Sequence, residues 1–372
     1  MLQVKEGVCV LSRGGRAVVT ALLVIAALAA SAVRGPTQKT ESPTSPVDGR
    51  AEVKGRYEDR PPFDLTYTDP DDHGVVAVRP AAIFTRPDAA MYRAAANRGL
   101  QELLDGVGKG KLDLGIEDIE QIVATLHFQT DKQAPRDRAQ SSVELLAPMV
   151  RTTHDHDWGK TLNTLVPGLK ELNVEGTPCL LMPKEVAVVF GGPVGCFCVL
   201  DKRTLLIGTE AQVRAALKRV KGRLAAPAWR DDWKRLDRGV LAVAVADIRA
   251  ALADRRAAPE ADEPGVTLLR SSRCLVFGVD IDSDMRWELA SRSTTEADAE
   301  RSLGALRAVL KSARERVDRK ETKEQVPEAA RRVIADLLTS GKMERTKTRV
   351  HAAGVSKGVD LPAFVGALMV LP

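Results

Sequence analysis

Apolar positions along this chain switch repeatedly between a period of two, as in strands, and helical stripes. Gly74–Ile83 opens with an unbroken apolar run, as a buried strand does. Leu100, Leu103, Leu104 and Val107 then fall on one helical face. Ile122–Phe128 and Met149–His154 read as strands, separated by an excursion over 129–148 in which Asp, Lys, Gln, Pro and Arg cluster. A helix is predicted at about 157–171, with Trp158, Leu162, Leu165, Val166 and Leu169 apolar and Asp157 at its N-cap. A second series follows: Gly239–Ile248, a helix at about 247–257, strands at Cys274–Asp282 and Arg286–Ser293, and a helix at about 296–316. Gly74–Ile83 and Gly239–Ile248 are identical at six of ten positions, and both series read strand, helix, strand, strand, helix.

Between the two series lies a meander of Val186–Phe190, Cys196–Leu200 and Thr204–Gly208. Thr209 and Gln212 then form a capping box, followed by a helix with Val213, Leu217 and Val220 on one stripe. Near the C-terminus, Pro327 suits a first helical turn ahead of Val333, Ile334, Leu337 and Leu338. A strand at about 346–354 and a short helix capped by Asp360, bearing Leu361, Phe364, Val365 and Leu368, complete the pattern. The class is α+β: two repeated strand-helix-strand-strand-helix units, an intervening β-meander plus helix, and a small C-terminal α/β extension.

One apolar stretch belongs to neither series. Ala17–Val33 carries no charge, follows Arg13 and Arg16, and ends at Arg34-Gly35-Pro36. Short apolar runs behind positive charge direct export, and Ala30-Ser31-Ala32 supplies small residues for a signal peptidase. The alternative is an uncleaved transmembrane helix that anchors the chain to the membrane through residues 17–33, since a span needs about 17–25 apolar residues. Both readings place the C-terminal bulk in the periplasm or cell envelope, secreted or membrane-anchored. A buried N-terminal helix of a soluble protein is the remaining reading. Residues 34–62, rich in Pro, Ser, Thr and charge and without apolar periodicity, read as a disordered tether. The expected organisation is 1–33 signal peptide or anchor, 34–62 tether, 63–225 first unit with meander, and 226–372 second unit with C-terminal extension.

The 372 residues suffice for two domains with real cores. The net charge of +5 dwindles on inspection, because residues 1–34 contribute +3 of it. What remains is nearly neutral with signs interspersed, and only 4% of residues are aromatic. Neither an electrostatic footprint for nucleic acid nor a base-stacking platform is present.

Candidate chemistry is sparse. His154-Asp155-His156-Asp157 puts two imidazoles and two carboxylates within four residues, a candidate arm for a divalent metal. On a strand His154 and His156 share a face. The competing reading makes Asp157 a helix N-cap, lets Asp155 favour the positive helix end, and leaves both histidines at an exposed junction. Cys196 and Cys198 form a C-x-C pair on a predicted strand with no positive neighbour to lower a thiol pKa. Together with Cys179 and Cys274 they read as buried thiols rather than disulfides, although proximity to Cys179 or Cys274 in the fold would reopen a role for the pair. Gly106–Lys111 departs from the phosphate-loop pattern and follows a helix instead of opening one, so no cofactor is implied. The serine elbow and His-Glu-x-x-His motifs are missing.

Leu11–Ala17, leading into the apolar run, and Asp201–Leu217 carry a resemblance. Over about residues 11–320 the chain resembles uncharacterised, membrane-targeted bacterial proteins with repeated α+β units outside the membrane. In some relatives such a region follows the membrane domain of an antirepressor-type metallopeptidase. The peptidase signature is absent here, so the resemblance implies no activity. It implies a non-enzymatic exported binding or sensor module with an unknown protein or envelope partner. The alternatives are a metal-dependent hydrolase built on His154–Asp157 and a structural envelope component.

Overall fold

The computed structural model describes residues 60–68, 73–105, 113–130, 141–166, 168–184, 195–221, 229–236, 240–248, 264–282, 284–317, 319 and 328–358. Its elements in chain order are β1 (Gly74–Val78), α1 (Pro80–Phe84), α2 (Ala90–Asp105), β2 (Ile119–Thr130), β3 (Ser141–Thr152) and α3 (Trp158–Leu165). Next come β4 (Lys170–Val174), β5 (Thr177–Leu181), β6 (Gly195–Val199), β7 (Thr204–Thr209), α4 (Glu210–Lys221) and α5 (Arg230–Leu236). The chain continues through β8 (Ala242–Asp247), α6 (Pro264–Ser271), β9 (Cys274–Ile281), β10 (Asp284–Arg292), α7 (Glu296–Val317), α8 (Glu328–Ser340), β11 (Lys342–Thr346) and β12 (Arg349–Lys357).

All twelve strands join one sheet in the order β11-β12-β10-β9-β8-β1-β2-β3-β7-β6-β5-β4, and every described pairing is antiparallel. The architecture is therefore α+β, an extended antiparallel sheet interspersed with helices. At its centre β1 and β8 run side by side, with Val76 opposite Ala244. Outward from that pair the order β1-β2-β3-β7-β6 on one side mirrors β8-β9-β10-β12-β11 on the other. Only the β4–β5 hairpin has no counterpart among the described strands.

This symmetry corrects two expectations. A two-fold through the central pair maps Val76 onto Ala244, whereas the ten-residue sequence match assigns Val76 to Leu241, three residues earlier. The helices that follow agree with the structural register, since α1 begins at Pro80 and helix resumes at Ile248 after β8. Runs of Val and Ala carry too little side-chain information to fix register, which here is set by the helix starts and by the ladder. Likewise the expected C-terminal strand is a hairpin, β11–β12, in the place that β6–β7 occupies in the first half.

The central strands are buried on both faces, which explains their continuous apolar sequence. The front face carries Val75, Ala77, Val123, Met149, Leu206, Val243, Val245 and Val276. Phe63, α4 and the paired Trp229 and Trp233 at α5 cover it. On the back face, α3 packs Trp158, Leu162 and Leu165 against Phe197 and Leu205. There too α7 packs Ala299, Leu303 and Leu306 against Trp287, Val350 and Ala352, and α8 sets Val333 and Ile334 on Ile281 and Met285.

Several polar anchors tie the layers together. Arg79, 3% exposed, donates from Nε to the Val240 carbonyl (3.1 Å) and from Nη2 to the Pro61 carbonyl (2.7 Å). Its guanidinium also stacks 3.9 Å from the centre of the Phe63 ring. With Arg60 paired to Asp280 at 3.5 Å, the chain is packed on the sheet from Arg60 onward, three residues before the expected start. Asp232 of α5 is buried between Arg292 of β10 (3.1 Å) and Arg349 of β12 (3.6 Å), so its charge is compensated.

The expected excursion over 129–148 is shorter than its composition suggests, because β2 reaches Thr130 and β3 already begins at Ser141. Pro148, which cannot donate to a ladder, sits with Ala147 (φ 42°) where the β2–β3 register shifts between Val123 and Thr125. The helix expected to run to 171 ends at Leu165, and a hairpin unforeseen in the sequence follows. Its turn places Glu175 at φ 53° and Gly176 at φ 80°, a Glu-Gly pair that signals a tight hairpin less plainly than Asn-Gly.

Among the described residues no helix is long and apolar enough to cross a membrane, so the expected transmembrane helix has no counterpart there. Even α7, with 22 residues, carries charges on successive turns. The run 17–33 itself, the tether 34–59, the Gly106–Lys111 loop, Val186–Phe190, the 225/226 division and the Asp360 helix lie outside the described residues.

At Gly74, where β1 begins, the seam with β8 tolerates no added side chain. A Cβ at Gly74 would lie 2.1 Å from the Val245 carbonyl oxygen, so Gly74→Ala must push β1 and β8 apart. We expect a loss of about 1–3 kcal/mol in urea unfolding, the usual cost of overpacking.

Candidate functional site

The His154–Asp157 cluster lies where β3 hands the chain to α3. Thr152 ends the strand, its hydroxyl donating to the His154 carbonyl (2.7 Å). Asp157 is the N-cap of α3, its Oδ1 accepting from the Lys160 amide at 2.9 Å. Asp155 points away to Lys202 at 3.3 Å, an exposed pair. His154 Nδ1 lies 3.0 Å from the Thr153 hydroxyl. His156 turns inward: its Nε2 is 2.7 Å from the Thr161 hydroxyl, and its ring meets Trp158 edge to face at 4.8 Å. Burial, and secondarily the neighbouring His154, push the His156 pKa below the ordinary histidine value.

The four side chains are thus distributed among a cap, an ion pair and two hydroxyl contacts. No group of three or more His, Cys, Asp or Glu among the described residues is arranged to hold a metal ion. The capping signal was legible because Asp157 precedes an apolar helical stripe, and the same fact turns its carboxylate toward backbone amides.

A second cluster forms from residues that are distant in sequence. Cys196 and Cys198, two apart on β6, both face α4 and pack with Val213, Ala216 and Leu217. Cys179 of β5 stands directly opposite Cys198. The Cys179 thiol donates to the Thr177 carbonyl at 3.6 Å, and the Cys198 thiol to the Pro178 carbonyl at 3.8 Å. All four described cysteines are buried and free. Burial pushes the thiols of Cys179, Cys196 and Cys274 up to about 12, and raises that of Cys198 as well. Cys274 is not part of this group, since five strands separate β9 from β6. The C-x-C pair was visible in the sequence. Cys179 and Cys274 were both candidate neighbours, and the choice between them was not legible, because the β4–β5 hairpin that delivers Cys179 was unforeseen.

A third feature is an open sheet surface. The front face is covered by α4 over the first half and by α5 and residues 60–68 toward the centre, with α5 reaching Arg292 and Arg349 at one end of β10 and β12. Beyond that contact β10, β12 and β11 present alternating polar side chains. Arg286, Glu288, His351, Lys342 and Glu344 lie there, all exposed. His351 Nε2 lies 3.4 Å from Glu288, and the two side chains are 47% and 49% exposed.

The chain matches no protein-family model and no curated protein. It has a distant structural resemblance to TP0453. Crystal form III matches at 8% identity with a TM-score of 0.40, covering 83% of this chain and 98% of that one. Crystal form IV matches at 7% identity and a TM-score of 0.39, covering 82% and 97%. Crystal form I matches at 8% and 0.37, covering 83% and 98%. A likeness this distant carries no functional argument, and nothing in it corresponds to a metallopeptidase domain.

Two outcomes follow from the α3 junction. Asp157→Ala should cost about 1 kcal/mol in chemical denaturation through loss of the cap. His156 binds its proton more weakly folded than unfolded, so its contribution is intact above the unfolded pKa and is lost as pH falls through that value toward the folded one. Lowering the pH from about 7 to about 5 should therefore destabilise the wild type more than His156→Gln, as read from thermal midpoints of both proteins.

Proposed function

We propose that the chain is an exported, non-enzymatic binding or sensor module, delivered by a cleavable signal at residues 1–33. The observation that carries this reading is the open polar face of β10, β12 and β11. The same face is covered by α4 in the first half, whereas here, among the described residues, α5 reaches it at Arg292 and Arg349, at one end of the strands, and leaves Arg286, Glu288, His351, Lys342 and Glu344 exposed. Mixed-sign side chains on a rigid antiparallel sheet suit a polar protein or envelope partner and favour specificity and approach rate over bulk affinity. Support for export comes from the charge-flanked apolar run and the small residues after it.

The hydrolase alternative loses its motivation once Asp157 is a cap and Asp155 an ion-pair partner. Metal analysis of the purified protein, alone and as the His154→Ala, His156→Ala double variant, should give the same negligible content for both. The structural envelope reading shares the proposed surface and differs in what occupies it.

A photo-reactive amino acid in place of Glu288 tests the proposal in cells. The expected result is a discrete adduct in the extracytoplasmic fraction, absent when the same probe replaces Val213 on the buried side of α4. An unmodified chain found wholly in the cytosol overturns it.

A further inference from the structure

The thiol cluster has a geometry that burial alone does not require. In the β5–β6 ladder the Met182 amide donates to the Gly195 carbonyl at 2.8 Å, so Leu181 and Cys196 form a non-hydrogen-bonded pair. Pairs alternate along an antiparallel ladder, which makes Leu180–Phe197 the hydrogen-bonded pair and Cys179–Cys198 non-hydrogen-bonded again. Directly opposed residues at such sites have Cα atoms about 4.5 Å apart, at the short end of the range a disulfide spans. Cys196 is the diagonal neighbour of Cys179 and its thiol also interacts with that of Cys179, but diagonal strand positions lie about 7–8 Å apart, so bridging them would need backbone movement.

We infer that Cys179 and Cys198 are a site of reversible oxidation to a cross-strand disulfide, with a small-molecule disulfide as the oxidant. The inference stands on strand register and does not rest on export or on any partner.

The chemistry balances as two exchange steps. One cysteine thiolate attacks the oxidant RSSR, forming a mixed disulfide and releasing RS⁻, which takes up a proton as RSH. The second cysteine then displaces the bound RS group in the same way. Two protein thiols become one disulfide, RSSR is reduced to two RSH, and the two thiol protons end on the two RSH molecules.

Access governs the rate. The thiols are 0–3% exposed residues that resist ionisation in the closed sheet, so oxidation needs local opening. The element that opens is the β4–β5 hairpin. It is the sheet edge, and its ladder to β6 comprises Cys179–Leu181 against Cys196–Cys198. Once formed, the bond ties this edge covalently to the sheet and lies under α4, whose Val213, Ala216 and Leu217 pack on the same cluster. A cross-strand bridge at the short end of its distance range is readily reduced again, which makes the site reversible.

The experiment incubates the native full chain with oxidised glutathione at about pH 8, where small thiols exchange freely. Remaining thiols are then alkylated and the peptides mapped. The expected product is a Cys179–Cys198 cross-linked peptide with Cys274 alkylated throughout, removed by dithiothreitol. Cys196→Ala should form the same link, and Cys198→Ala should form none between Cys179 and Cys196. Amide exchange in β4 and β5 should slow about tenfold or more on oxidation, as an opening mode is closed. Recovery of Cys179 and Cys198 both alkylated, glutathione adducts without a cross-link, a Cys179–Cys196 link, or a link that forms only in denaturant would each overturn the assignment.

Discussion

The structure depends on one contact above others, the antiparallel seam between β1 and β8. Val76 faces Ala244 at its centre, and Gly74 lets the Val245 carbonyl approach closer than any side chain would permit. Each half of the sheet has its own helices, but the seam gives them one hydrogen-bonded ladder and one front-face core, in which Val75, Ala77, Val243 and Val245 meet. Small and β-branched residues suit such a position, because both faces of the strand are buried and neighbouring layers press close.

Polar groups then decide where the layers stop. Arg79 and Arg60 hold the entering chain on the front face, while the compensated Asp232 holds α5 to the far strands. On the back, a run of buried serines joins α6, β10 and α7: Ser272 lies 2.7 Å from Ser291, and Ser293 lies 3.3 Å from Ser302. These hydroxyls satisfy one another, which is what permits them in a packed interior. Beyond the Asp232 contact the front of β10, β12 and β11 is exposed, and its strands alternate accordingly between buried and exposed positions.

The two candidate sites illustrate opposite limits of reading a sequence. His154–Asp157 was conspicuous because its members are adjacent, yet adjacency at a strand-to-helix junction sends successive side chains in different directions. The cysteine cluster was inconspicuous because sixteen or more residues separate Cys179 from its partners on β6. Strand pairing makes them neighbours, and nothing local in the sequence announces it.

By itself the sequence determined the α+β class, the buried central strands, the Thr209–Gln212 capping box, with contacts of 2.9 and 3.2 Å, and the Asp157 cap. Those features rest on local periodicity or on contacts three residues apart, which the chain encodes directly. Tertiary structure alone decided the register of the seam, the matching of β11–β12 to β6–β7, the third thiol and the open front face. Each depends on which strand lies beside which, and in an antiparallel sheet that choice is made by ladder register and by covering helices many residues away.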